Sequence, residues 1–174
     1  MSALAVTGTR FGATEAQLAA LAELFNGNFD WVRDFHHGDC VGADAQAAVM
    51  ARDLGCRLIC HPPEQTADRA YVVSDEAREP LTYLARNRAM VDEAKRLVAF
   101  PRLMAEEERG GTWYTIRYAR KRGYPVTIIW PDGRIEHDSA RRETPTQERA
   151  PLDTSKSGAL AESSRPPQAS EGVR

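Results

Sequence analysis

Apolar positions along the chain fall into short blocks that alternate between two kinds of spacing. Leu4-Ala5-Val6, Phe29 to His37, Cys56 to His61, Leu97 to Phe100 and Val126 to Trp130 are compact runs of strand length, bounded by polar or glycine-rich turns. Runs of this kind suit strands buried on both faces. The segments between them carry helical spacing. Thr14 opens one helix, with Gln17 placed to complete a capping box and Leu18, Leu21 and Phe25 on the apolar face. A second helix spans Ala45 to Leu54, with Ala45, Ala48 and Val49 in phase and Gly55 at its end, where a left-handed residue is expected. A third has Pro80 in its first turn and carries Leu84, Met90, Val91 and Ala94. A fourth, Trp113 to Arg122, buries Trp113, Ile116 and Ala119 and stops at Gly123. Residues 64 to about 79 are charged and weakly patterned and read as a loop. After the turn Pro131-Asp132-Gly133, Arg134 to His137 can add a short antiparallel edge strand.

Repeated strand–helix alternation predicts an α/β, doubly wound, mainly parallel five-stranded sheet with helices on both faces. The predicted domain occupies residues 1–138. Residues 139–174 hold no aromatic side chain, only Leu152, Leu160 and Val173 as large aliphatics, and many Ser, Pro and charged residues. Such a segment buries too little apolar area to offset its ordering entropy, so a disordered tail is expected.

Composition narrows the function classes. The net charge is −2 and the sequence pI about 6.1, which counts against nucleic acid as the main partner. Cys40, Cys56 and Cys60 are too few and too irregular for a disulfide framework or a paired zinc motif, and read as reduced thiols of a cytoplasmic protein. Residues 1–6 lack the basic and apolar regions of a signal peptide. No apolar run approaches the roughly 20 residues of a membrane span.

In doubly wound sheets ligands bind beyond the carboxyl ends of the strands. The polar, glycine-rich segments of this chain fall there. Thr7-Gly8-Thr9-Arg10 can wrap a phosphate with backbone amides while Arg10 adds charge. Gly38, Asp39, Gly42 and Asp44 make a sharply turned acidic loop, fit to hold a ribose or a water; Asp44 equally suits a plain helix N-terminus. Arg86 shares a helix face with Met90 and can bind phosphate bidentately, although a solvated helix face would look the same. Gly110-Gly111-Thr112 opens the last helix: glycine permits close approach, and free N–H groups with the helix dipole attract an anion. Thr112 as a simple N-cap is the competing reading. Trp113 reads as core, though it or Tyr114 could stack on a base. Arg117, Arg120, Lys121 and Arg122 complement the dipole at a helix end rather than forming a nucleic-acid patch. His36, His37, His61 and His137 show no metal-ligand spacing and read as structural, so neither a metal nor a cofactor is expected.

Taken in order, Thr7-Gly8-Thr9-Arg10, His37-Gly38-Asp39 with Gly42-Ala43-Asp44, Arg86-Asn87 with Met90, and Gly111-Thr112 resemble the SLOG superfamily, in particular its YpsA-related branch common in bacterial and phage genomes. The match extends over almost all of residues 3–130. The resemblance implies a Rossmann-like fold, a homodimer, and a pocket for a nucleotide or a derivative such as ADP-ribose; a protein that senses or sequesters such a ligand is the function expected. The superfamily also includes the Lonely Guy phosphoribohydrolases and the DNA-processing protein DprA. In the former, a glutamate three residues after the motif threonine is catalytic; that position is Thr115 here, and Arg109 replaces the proline before the glycines. A threonine cannot stabilise an oxocarbenium charge as a carboxylate does. Were the chain an N-glycosidase, Asp39 or Asp44 would have to supply the carboxylate, with Arg86 assisting.

Overall fold

The computed structural model describes residues 3–138; the expected tail, 139–174, lies outside them. A seven-stranded sheet forms the centre of the domain. In chain order its elements are β1 (Ala3–Gly8), α1 (Glu15–Asn26), β2 (Asp34–His37), α2 (Ala43–Asp53), β3 (Arg57–Cys60), β4 (Glu76–Ala77), α3 (Tyr83–Ala94), β5 (Leu97–Phe100), α4 (Gly111–Lys121), β6 (Val126–Ile129) and β7 (Ile135–Asp138). The strand order is β4-β3-β2-β1-β5-β6-β7, and only the β6–β7 pair is antiparallel.

Alternate residues of β1 point to opposite faces, and each face carries its own core. Leu4 and Val6 join Leu21, Leu24 and Phe25 of α1 and Ala47, Ala48 and Ala51 of α2. Ala3 and Ala5 join Met90, Val91 and Ala94 of α3 and Trp113, Ile116 and Ala119 of α4. Full burial of each large apolar side chain contributes roughly 1.5–3 kcal/mol. The α1 capping box forms as its sequence predicts: Thr14 accepts from the Gln17 backbone, and the Gln17 side chain returns to the Thr14 N–H. Gln17 is itself buried, and its Nε2 donates to Pro101 O and Ile129 O, tying α1 to the ends of β5 and β6.

Several expectations need correction. The strand count is seven, not five. β4 lies within the charged stretch expected to be loop; two residues show no periodicity, and only the parallel register Ile59↔Glu76 and Cys60↔Ala77 defines it. β7 is the edge strand that the terminal turn allowed, one residue later than expected. β2 begins at Asp34 rather than Phe29, because Phe29 folds back in a turn to pack edge-on against Phe25. α2 starts at Ala43 and buries Ala47, Ala48 and Ala51, leaving Val49 exposed. Small residues on that face let α2 sit close to the sheet: a Cβ on Gly8 would lie 2.6 Å from Ala43 Cβ. α3 starts at Tyr83 behind Thr82, so Pro80 precedes the helix, and Leu84 is exposed. The N-cap of α4 is Gly110, not Thr112.

Candidate functional site

β1 lies between β2 and β5, so the chain reverses its direction of travel across the sheet at the β1–β5 boundary. The loops after these two strands must diverge, and a crevice opens between them. It is a cavity of about 510 Å³, within the range of small-ligand sites. Thr7, Gly8, Thr9 and Arg10 line one wall, and Gly110, Gly111 and Thr112 the other. Asp44 and Arg86 contribute from α2 and α3. Among the residues expected to contact a ligand, Gly38, Asp39 and Gly42 do not line it.

Those three residues shape the wall from behind. Gly42 has φ +92°, and a Cβ there would lie 2.5 Å from Thr9 O and Arg10 O, so only glycine lets this loop pass against the one after β1. Ala43 N donates to Thr9 O at 3.0 Å, locking the two loops together. Asp39 is 0% exposed. Its carboxylate accepts from Arg69 Nε at 2.7 Å and Val72 N at 2.9 Å, pinning the segment before β4. Its left-handed φ of +56° is one that Asp adopts more readily than most residues. Asp44 lines the cavity, but its carboxylate accepts from Gly38 N and Cys40 N, at 3.1 to 3.2 Å. Both aspartates are thus committed to backbone and arginine donors.

Arg86 projects from α3 into this wall and is only 4% exposed. Nη2 donates to Cys40 Sγ at 3.1 Å, and the guanidinium lies 5.8 Å from the Tyr83 ring centre. Its Nε is buried with no hydrogen-bond partner. Gly38 makes the space: a Cβ there would fall 1.2 Å from Arg86 Nη1. Opposite stands the start of α4. Gly110 offers no side-chain cap, so the first-turn N–H groups have no acceptor within the helix. The helix dipole adds partial positive charge there. Trp113 Nε1 is likewise buried without a partner, on a ring that lines the cavity and packs 5.9 Å from Trp130.

The sequence did not single out the rim. Arg102 and Arg109 bring two further guanidinium groups, and Phe11 and Tyr83 two aromatic rings. Arg102 lies 5.5 Å from the Phe11 ring centre and pairs with Glu107; Arg10 pairs with Asp68. Phe11 directly follows Arg10, and Tyr83 is three residues before Arg86, so adjacency carried a signal for both. Asp68 sits in an unpatterned loop with none. Thr115 does not line the cavity. It is fully buried, donates to Gly111 O at 2.8 Å and accepts from Asn87 Nδ2 at 2.9 Å. Three basic residues toward the end of α4 are engaged: Arg117 with Glu106 and the carbonyls of Glu107 and Glu108, Arg120 with Asp138, and Arg122, just past the helix, with Asp92.

Two histidine clusters lie outside the cavity. His37 accepts from Asp39 N through Nδ1 and shares a hydrogen with Ser74 Oγ through Nε2, and burial lowers its pKa. The neighbouring Cys60 thiol is pushed up to about 12 by burial. His37 and Asp39 have their hydrogen-bond partners already. His36, His61 and Glu93 also converge, although their spacing in sequence hid it. Burial lowers both imidazole pKa values, that of His61 to about 3. Among the described residues no helix is long and apolar enough to cross a membrane, and the three cysteines are free.

No family model matches the chain, and no curated protein does. Solved structures do match in fold. The molybdenum cofactor binding protein from Rippkaea orientalis is 23% identical, over 74% of this chain and 76% of its own, with a TM-score of 0.56. DprA from Streptococcus pneumoniae is 19% identical over 74% of this chain, with a TM-score of 0.57; the chain spans half the length of that protein. The molybdenum cofactor carrier protein from Chlamydomonas reinhardtii is 22% identical, over 72% of this chain and 74% of its own, with a TM-score of 0.51. These are SLOG-type Rossmann-like proteins, and the chain has their fold.

Proposed function

We propose that the cavity binds a nucleotide or nucleotide-derived ligand of the ADP-ribose kind, and that the chain senses or sequesters it, as in the YpsA-related branch that its motifs resemble. The observation that carries this reading is the buried Arg86, whose Nε has no protein partner, in a wall facing an uncapped helix N-terminus. Burying a guanidinium donor without an acceptor costs free energy, and a phosphate oxygen would remove that cost. Gly8, Arg10, Gly111 and Thr112 would hold phosphate around it. Asp44, on the cavity wall, would contact a ribose, while Asp39 and Gly38 support the wall. Phe11 and Tyr83 offer ring faces at the mouth. Two of the fold neighbours are named for a molybdenum cofactor, so this fold accommodates small ligands at least there.

Binding without turnover fits the carboxylates. Phosphoribohydrolysis needs a carboxylate free to face the sugar. Asp39 and Asp44 are held by other donors, and Thr115 is turned away. The net charge of −2 and the ion pairs of Arg117, Arg120 and Arg122 weigh against single-stranded DNA.

Native mass spectrometry of the purified chain, with calorimetric titration of ADP-ribose and nucleoside mono- and diphosphates, tests the reading. One nucleotide per chain is expected. Gly111 has room for a side chain, since a Cβ there meets nothing within 4 Å. Gly111→Asp should therefore fold, yet set a carboxylate against the phosphate and lower affinity about tenfold or more. Intact binding by that variant would move the phosphate site elsewhere. Release of free base, lost in Asp44→Asn, would favour the hydrolase, and salt-steep oligonucleotide binding would favour DNA.

A further inference from the structure

We propose that His36, His61 and Glu93 form a binding site for a divalent transition-metal ion of the zinc class. Three separate elements supply the ligands: His36 from β2, His61 just after β3, and Glu93 from the last turns of α3. Their ligand atoms all lie within 4.8 Å of one another. His36 Nδ1 is 3.0 Å from His61 Nε2, and His61 Nε2 is 3.8 Å from Glu93 Oε2. Zinc bonds of about 2.1 Å at tetrahedral angles set neighbouring ligand atoms roughly 3.4 Å apart, so one ion fits with small side-chain shifts.

The donor chemistry selects the ion. Two imidazoles and one carboxylate suit zinc or cobalt, whereas calcium and magnesium prefer oxygen throughout. Both histidines are buried, which fixes their direction, and Glu93 is partly open to solvent, which gives an entry path and a fourth position for water. Arg78 holds the Glu93 carboxylate, with Nε 3.2 Å from Oε1 and 3.1 Å from Oε2 and Nη2 on Oε1. Such an outer contact orients a ligating carboxylate. Its positive charge also opposes the ion, so binding is reversible by chelators. A metal here clamps α3 to β2 and β3, two turns from Arg86 on the same helix. This inference is independent of the cavity's ligand.

Chelator-treated full-length chain is titrated with Co²⁺ and then Zn²⁺. The expected result is one ion per chain, visible absorption from low-coordinate Co²⁺ that Zn²⁺ abolishes, and a rise in Tm that grows with metal concentration. Glu93→Gln, at a partly exposed position, should fold and weaken binding about tenfold or more. His137→Ala, on β7, should leave binding unchanged. X-ray absorption at the zinc edge of the wild-type chain should show two imidazoles. Absence of stoichiometric Co²⁺ binding, a shell without imidazole, or equal affinity in Glu93→Gln would each overturn the site.

Discussion

Arg86 gains its position from a residue that never meets the cavity. Gly38 leaves the space its guanidinium occupies, and Cys40 Sγ accepts one of its N–H groups. A methyl group at position 38 cannot coexist with Nη1 at 1.2 Å, so the arginine, not the backbone, must give way. Gly38→Ala is therefore expected to keep the fold and lose ligand. Losing a charge-assisted contact weakens binding by about tenfold to a hundredfold. Titration with ADP-ribose, alongside circular dichroism, reads both quantities. Affinity equal to wild type would separate Arg86 from the ligand. The sequence marked Gly38 as a contact residue because glycine beside a strand end usually lets a ligand approach. Here it lets a side chain approach, a distinction that depends on which residue of α3 lies opposite.

At the scale of elements, the seam between α3 and α4 decides what the site can do. Asn87 donates to Thr115, and Thr115 donates to Gly111 O, so the first turn of α4 is bolted to α3 just behind the proposed phosphate wall. A glutamate at position 115 would not restore a hydrolase. Its carboxylate would be buried beside Asn87 and the α4 backbone, where Thr115 is fully buried, a cost of about 3 kcal/mol or more if left unpaired. Thr115→Glu should thus lower Tm by several degrees and release no base from nucleoside monophosphates; base release would return the hydrolase reading. Two helix ends were legible, the Thr14–Gln17 box and Gly55, because both carry their conformations in local chemistry. The apolar face of α2 was not. Alanines dominate it, and which of them faces the sheet depends on how closely Gly8 admits the helix.

For the whole molecule, the alternation of runs made the layered α/β architecture legible, because burial on both faces leaves a continuous apolar signature. Strand order across the sheet, the two-residue β4 and the convergence of three distant ligand atoms were not legible, since each depends on pairing across the chain. The same burial makes the molecule acid-sensitive. His36, His37 and His61 all have pKa values lowered from 6.5, in each case chiefly by burial, so the folded state holds them neutral. As pH falls through 6.5 the unfolded chain takes up protons that the folded chain refuses, and stability falls with each unit down toward the folded values, about 3 for His61. Glu93, lowered first by its hydrogen bond from Arg78, extends the loss below 4.5. With chelator present, Tm should be level above about pH 7 and decline steadily between about pH 6.5 and 5. His61→Gln should flatten that decline by removing the most strongly shifted of the three. A Tm that held level or rose on acidification would mean that these imidazoles become charged inside the fold.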